Sequence, residues 1–517
     1  MSRLNRRDFL GSAVVSAASL TRSAGLPLPS EEAKRKPRRA MYFNDARHFY
    51  LYCYEPPMQL EDAWRPIDEV AGTSVNTFIF GVESGGLFNH TKVGLRWGAD
   101  QRPFTSAYQW RAWYNMQSLI DRGLDPLQVL IDRAHQRGLE FITSMRISGK
   151  TRNPGHKIGV SGAYAGGAGA REDCADFSHQ EVRQERFAWL EELAGYPVEG
   201  IEMDFAFTPF YFKPEEIKTH APVMTEFVRS ISKMVRAKGK NRIVGARVFP
   251  TESMNLSLGL DVRAWLSEKL VDYVAPLFYG FFALDPNMPF ESLVEAAHMS
   301  GGEIYPILQP YFLRHEDSAT PAMFRAAIAN YWAKGADGLI AWFLHWPPGE
   351  AERSILTDIG DPDVVREKDK HYVLPPRQQD AAALGYDQPL PLQLEKANPN
   401  VSAQIPFYVA DDPGSSRVAR VRLRLKILNL VTADRFKVKL NGRDLSSEAL
   451  RRTSHRYEFQ WLEYTLVRVR PERGPNNLTV SLESRPEGLE GGVTVDLVEL
   501  LIEYDRPHAP DARPEFL

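Results

Sequence analysis

Between residues 41 and 365 the chain alternates apolar strand-like runs with helical ones, and this alternation limits the folds open to it. The strand candidates are HFYLYCYE (48–55), VNTFIFGVE (75–83), LEFITSMRIS (139–148), GIEMDFAF (200–207), RIVGARVF (242–249), VDYVAPLFYG (271–280), EIYPILQPYF (303–312) and DGLIAWFLHW (337–346). Helical runs lie between them, such as DPLQVLIDRAHQRG (125–138), HQEVRQERFAWLEELA (179–194), APVMTEFVRSISKMVRAKG (221–239) and TPAMFRAAIANYWAKG (320–335). Eight β-then-α units over about 320 residues predict a closed parallel barrel. An open doubly wound sheet is the other option. It usually carries a glycine-rich phosphate loop after its first strand, and YEPPMQL (54–60) has no glycine at all.

After the barrel the pattern changes. Residues 366–393 are rich in Pro, Gln and charge and read as a linker. From 394 to 505 the period becomes two. VARVRLRLKI (418–427) alternates apolar and basic residues, and KVKLNGRDL (437–445) holds an Asn441–Gly442 turn, a strong hairpin signal. NNLTVSLES (476–484) and VTVDLVELLIEY (493–504) continue it, so this part is predicted to be a β-sandwich, with 506–517 a tail. The expected fold class is therefore α/β: a (β/α)8 TIM barrel followed by a C-terminal all-β sandwich.

The N-terminus has a different character. NRRDFLGSAVVSAASL (5–20) places Arg6 and Arg7 before Phe9, Leu10 and a short, mildly apolar stretch. Residues 1–30 resemble a twin-arginine signal peptide, which implies passage through the twin-arginine translocase to the periplasm or beyond. Cleavage and retention as an anchor both stay open. The apolar stretch is too short to span a bilayer, and no other segment is apolar enough, so an integral membrane protein is not expected. EEAKRKPRRA (31–40) reads as a polar linker. The formal net charge of −3 gives no electrostatic case for nucleic acid as a partner. The two cysteines, Cys53 and Cys174, match no zinc spacing and read as unpaired, buried thiols.

GIEMDFAF is the fourth strand candidate. On a strand, Glu202 and Asp204 share one side and Ile201, Met203 and Phe205 the other. Two acids on the inner side of a buried strand are costly unless they are paired or used. In a (β/α)8 barrel the working groups sit at the C-terminal strand ends, which puts Asp204 near the mouth and Glu202 one step deeper. Paired carboxylates at such a mouth fit glycoside hydrolysis, with one acid protonating the leaving oxygen and the other acting as nucleophile or base. Glu83, at the end of strand two in GVESGG, is a further candidate for the second acid. Arg146 in SMRISG and Arg247 in GARVF flank strand four. They either neutralise Glu202 and Asp204 or clamp an anionic group of a sugar. Tyr279, Gln309, Tyr311, His345 and Trp346 fall at later strand ends and are candidates for substrate binding or rim packing. The loop WGADQRPFTSAYQWRAWY (97–114) carries Trp97, Trp110 and Trp113 and is expected to form a sugar-stacking wall rather than a loop core.

Four segments follow one another in order: DFSHQEVRQERFAWLEEL (176–193), YPVEGIEMDFAFTPFYF (196–212), GLDVRAWLSEKLVDYVAPLFYG (259–280) and FRAAIANYWAKGADGLIAWF (324–343). Together they resemble the family-ten glycosylhydrolase-like group of secreted bacterial barrels over about residues 175–345. The resemblance implies a (β/α)8 catalytic domain acting on polysaccharide. In that group an arginine usually follows the GIE-x-DF run and Asn-Asp follows the arginine of strand three. Here Ala206 and Phe207 follow the former, and Ile147 and Ser148 follow Arg146. Chitinase-type barrels end strand four in D-x-D-x-E, and Ala206 stands where that Glu would be. LYCYEP (51–56) lacks the H-x-H of metal-dependent amidohydrolases, and neither cysteine begins a sulfatase signature. No nucleophile elbow occurs as a strand-to-helix turn. The expectation is a glycoside hydrolase needing no cofactor or metal, with a carbohydrate substrate, neutral or anionic. The alternative is a barrel that binds carbohydrate without catalysis.

Overall fold

The computed structural model describes residues 38–505 apart from 46–49, 150–154, 161–170, 208–209, 279–282, 313–316, 378–381, 383 and 456–457. The signal-like segment 1–30, most of the 31–40 linker, Tyr279 and the 506–517 tail lie outside the described residues.

The described chain begins with β1 (Arg39–Asp45), α1 (Tyr50–Cys53), α2 (Leu60–Asp68), β2 (Thr77–Gly81), α3 (Ala107–Ile120), α4 (Pro126–Gln136) and β3 (Glu140–Arg146). A hairpin of β4 (Lys157–Val160) and β5 (Arg171–Ala175) precedes α5 (Gln180–Leu193) and β6 (Gly200–Asp204). Then come α6 (Ile217–Lys238), β7 (Ile243–Val248), α7 (Glu252–Ser257), α8 (Val262–Ser267), β8 (Tyr273–Pro276), α9 (Glu291–Ser300), β9 (Glu303–Ile304) and β10 (Ile307–Leu308). The barrel part ends with α10 (Pro321–Ala333), β11 (Gly338–Trp342), α11 (Glu350–Asp358) and α12 (Pro362–Val365).

The parallel sheet runs β10–β11–β1–β2–β3–β6–β7–β8–β9. Its two ends, β9 and β10, are halves of one stretch broken only at Tyr305 and Pro306. Tyr305 N–H donates to Val274 O of β8 (3.0 Å), and Ile340 N–H of β11 donates to Pro306 O (3.3 Å). The ring therefore closes on itself, a (β/α)8 barrel with β9–β10 as its seventh strand. Helix starts follow local chemistry. The Asp125 carboxylate caps α4 on Leu127 N–H with Pro126 at the first helical position, and Thr320 with Pro321 does the same for α10.

The C-terminal part comprises β12 (Lys370–Leu374), β13 (Leu392–Leu394), β14 (Ala403–Val409), β15 (Val418–Leu428), β16 (Arg435–Leu440), β17 (Arg443–Asp444), β18 (Ala449–His455), β19 (Phe459–Thr465), β20 (Gly474–Ser484) and β21 (Val493–Tyr504). One sheet runs β12–β21–β15–β19–β18 with β13 also on β21, the other β14–β20–β16–β17. The alternating buried residues of β14, β15, β20 and β21 share one apolar core. Asn441 and Gly442 turn the β16–β17 hairpin with positive φ at both positions (50° and 79°), the twist that a two-residue turn needs.

Four expectations change. HFYLYCYE is not the first strand; it contains the short helix α1, and RAMYFND (β1) takes that place, pairing with β2 and β11. Strand β1 starts at Arg39, inside the expected 31–40 linker. The expected 366–393 linker holds β12 and the start of β13, both paired with β21. Cys174 is buried as expected, but Cys53 is exposed. No helix among the described residues is long and apolar enough to cross a membrane.

Candidate active site

The mouth of the barrel is built from inward-facing side chains in register. Asp204 of β6 lies between Arg146 of β3 and Arg247 of β7, and Glu202 lies between Ser144 and Gly245 one step deeper. The apolar alternates Ile201, Met203 and Phe205 are buried in the outer packing. Gly245 has a specific purpose here. A Cβ on it would sit 2.0 Å from Tyr273 Cζ, so only glycine lets the Tyr273 ring cross the lumen.

Glu202 is wholly buried (0% exposed). It accepts from Ser144 Oγ (2.7 Å) and Arg247 Nη2 (2.5 Å) on Oε1, and from Tyr273 Oη (3.0 Å) on Oε2. Asp204, 3% exposed, accepts from the backbone N–H groups of Ala206 (3.0 Å) and Phe207 (3.1 Å) on Oδ1. Its Oδ2 accepts from Arg247 Nη1 (3.3 Å). Arg247 thus holds both acids with one planar fork, while its face lies over Phe43 at 4.1 Å. Arg146 goes elsewhere. It donates to Asp45 Oδ2 (2.6 Å) at the end of β1 and stacks on Phe207 at 3.6 Å.

Glu83 is also buried (3% exposed) and accepts from Gly85 N–H at 2.5 Å. Burial pushes its pKa above the ordinary carboxylate value, and the positive charges of Arg146 and Arg186 pull against that. Asp204 is raised for the same first reason, burial, with Arg247 opposing and the charge of Glu202 adding to the rise. The mouth therefore brings Asp45, Glu83, Glu202 and Asp204 into one electrostatic neighbourhood with Arg146 and Arg247. The acids are nearly dry, and Asp204 and Glu83 sit above the ordinary carboxylate range.

The remaining candidates scatter. Gln309 is buried and ties two strand ends by donating to Phe278 O (2.7 Å). Tyr311 and His345 line a separate cleft of about 380 Å³ with Ser318, Leu344 and Glu352. Trp346 donates from Nε1 to Glu69 Oε2 (2.8 Å), which turns it toward the end of α2. The expected stacking wall divides. Trp97 is 4% exposed and stacks on Phe88 at 5.4 Å, and Trp113 lies under Arg96 and Arg102. These two form the loop's own core, while Trp110 faces solvent at 41% exposure beside Tyr114.

Asp45, Ser144 and Tyr273 were missed from sequence. Asp45 ends a strand that follows directly on the basic run KRKPRR, which masks its pattern. Ser144 could have been found, since it stands two residues before Arg146 on the same strand face.

No protein-family model matches the chain, and no curated protein matches it. Among solved structures, it is similar to a cycloisomaltooligosaccharide glucanotransferase from Paenibacillus sp. (10% identity, 91% of this chain and 58% of that one, TM-score 0.33). Two others are an alpha-L-fucosidase from Paenibacillus thiaminolyticus (10%, 64% and 49%, 0.42) and a beta-galactosidase from Marinomonas ef1 (11%, 64% and 59%, 0.39). The chain thus spans about half to three-fifths of the length of these proteins. Identities and TM-scores this low carry no weight for the chemistry, and the barrel stands on its own strand pairing.

Proposed function

We propose that this chain is a glycoside hydrolase of the family-ten glycosylhydrolase-like kind, working at the barrel mouth with Asp204 and Glu83. The observation that carries the reading is that two buried carboxyl groups, Asp204 at the end of β6 and Glu83 two residues beyond β2, both feel the charge of Arg146 and are both raised by desolvation. Glu83 serves as proton donor. Burial favours the protonated form of its carboxyl group, the form that can deliver a proton to the departing glycosidic oxygen. Asp204 serves as nucleophile or base, because Arg247 and two backbone amides hold its charged form in place. Glu202, with donors on both oxygens, acts through Arg247 as a positioning residue.

Arg247 and Arg146 are each engaged by acids of the same mouth, which argues against either being a free clamp for an anionic sugar. The substrate class favoured is a neutral glycan. Export by the twin-arginine route, to the periplasm or medium, belongs to the same proposal and rests on Arg6 and Arg7. Replacing both by Lys should leave the protein in the cytoplasm on fractionation.

The test is reducing-end release from neutral, uronate and sulfated polysaccharides by wild type, Asp204→Asn and Glu83→Gln. Release from neutral glycans by wild type alone is the expected result. Binding of the panel without release by any of the three would make the protein a carbohydrate-binding barrel.

A further inference from the structure

Outside the mouth, one group of side chains has no part in the proposed reaction. The β4–β5 hairpin is inserted between β3 and α5. Its two strands are framed by His156 just before β4 and Asp176 just after β5, and Asp176 N–H donates to His156 O (3.0 Å). Three residues further on, His179 occupies the N-cap position of α5, and Glu181 lies in its first turn. Metal-ligating atoms of His156, His179 and Glu181 all lie within 4.8 Å of one another. The two histidines are half-buried and Glu181 is exposed.

Two details separate this cluster from a chance meeting of surface residues. The imidazole rings of His156 and His179 are stacked face to face, 3.9 Å between centroids and 7° between planes. His156 Nδ1 is buried and has no hydrogen-bond partner among the described residues. A buried ring nitrogen without a partner costs free energy that the stack does not return. Beside the pair, the buried carboxylate of Asp176 lies 3.7 Å from His179 Nε2. A carboxylate next to a ligating histidine is the usual outer support of a metal site.

We propose that His156, His179 and Glu181 bind one divalent first-row transition ion, with Zn²⁺ as the fitting ion. Two imidazoles and a carboxylate form a three-ligand set that suits zinc and leaves a fourth position for water. Parallel rings cannot both aim a lone pair at one ion, so one ring turns about its Cβ–Cγ bond on binding. Tetrahedral ligands about 2.1 Å from zinc lie about 3.4 Å apart, so atoms at the 4.8 Å limit would close by about 1.4 Å on binding. The ion ties the hairpin to α5 at the rim of the mouth. Ile158 and Cys174 of that hairpin pack on Phe210, and Phe177 N–H donates to Tyr211 O (2.8 Å), both partners lying in the segment after Asp204. This site does not depend on the hydrolase reading.

The experiment uses the full chain without an affinity tag, stripped by chelator and titrated with Zn²⁺ by calorimetry. One equivalent should bind with micromolar or tighter affinity and raise Tm as ligand linkage requires. Asp176→Asn should weaken binding about 10-fold, and His156→Ala and His179→Ala should each weaken it more. Uptake of Co²⁺ should give intense visible bands of low-coordinate, nitrogen-ligated cobalt. Failure of wild type to bind an equivalent, or equal binding by the His156→Ala/His179→Ala double variant, overturns the proposal. Where a variant misfolds by circular dichroism, the wild-type cobalt spectrum decides, and a spectrum like that of the aqua ion overturns it.

Discussion

The molecule contains two charge networks built on the same period-two pattern, and water separates their meanings. On the outer face of the sandwich, Arg420, Arg422, Arg424 and Lys426 of β15 alternate along one side. They pair with Glu503 (2.6 and 2.5 Å), Glu499 (2.6 Å) and Asp496 (2.8 Å) of β21. Inside the barrel mouth, Arg247 pairs with Glu202 and Asp204, and Arg146 with Asp45, all nearly dry. The residue types and the spacing are alike. The most open of the first kind, Arg420–Glu503, with side chains 52% and 25% exposed, contributes about 0–1 kcal/mol. Charges of the second kind lose several kcal/mol of hydration apiece, which only close pairing offsets. A fold tolerates that cost where the charges do something, so burial of charge marks the site where abundance of charge does not.

The contrast can be broken at either end. Arg247→Ala leaves two acids facing each other without their shared counter-charge, and should destabilise the protein by about 3–5 kcal/mol in denaturant unfolding. A loss below about 1 kcal/mol would make the buried network no different from the exposed one. Asp204→Asn keeps size and most hydrogen bonds, and should lower turnover at least ~10²-fold while the unfolding midpoint barely moves. Unchanged glycan release would remove Asp204 from the chemistry.

Glu83→Gln probes the dry acid by its sign. Burial raises the Glu83 pKa in the folded state, so the folded protein holds this proton over a range where the unfolded chain has released it. Stability is then lost as pH rises from the ordinary carboxylate value through the raised one. The Gln variant is spared this loss. Its Tm should exceed wild type by roughly 1–3 °C at neutral pH, and the gap should close as pH falls below the ordinary carboxylate value. A gap that widens in acid contradicts the burial of Glu83. The smallest effect belongs to the sandwich. Arg420→Ala, at the most open pair, should cost under about 1 kcal/mol, and less again in high salt. The neighbouring Glu503 shows the opposite sign to Glu83. Burial would raise it, but hydrogen bonds from Arg420 and Arg422 outweigh burial and hold it below its ordinary value. Its modest, solvent-screened contribution is present above the ordinary carboxylate pKa and fades as pH falls through the lowered one.

Much of the barrel was legible because its buried strands are continuous apolar runs separated by amphipathic helices. All seven strand runs from 75 onward hold a barrel strand, with the run 303–312 split into β9 and β10. The first strand was misplaced because HFYLYCYE has stronger strand propensity than RAMYFND, and tertiary pairing with β11 decided the matter. The inward side of GIEMDFAF followed from alternation alone, and both flanking arginines were visible. Which acid each arginine would meet was hidden, since that depends on strand stagger around the ring. The tryptophans of 97–114 show the other limit. Spacing cannot tell a ring that packs under Arg96 and Arg102 from one that meets a ligand.

The broken seventh strand has a consequence in time. The ring is joined there by two-residue pairings on either side of Tyr305–Pro306, and Pro306 has no amide to contribute. Elsewhere neighbouring strands pair over longer stretches. The barrel therefore has a seam, and its fluctuations begin at that seam. Backbone amides flanking Tyr305 should trade hydrogen for deuterium earlier than those of β2 or β6, as a slow unzipping of one edge of a cylinder that is otherwise shut.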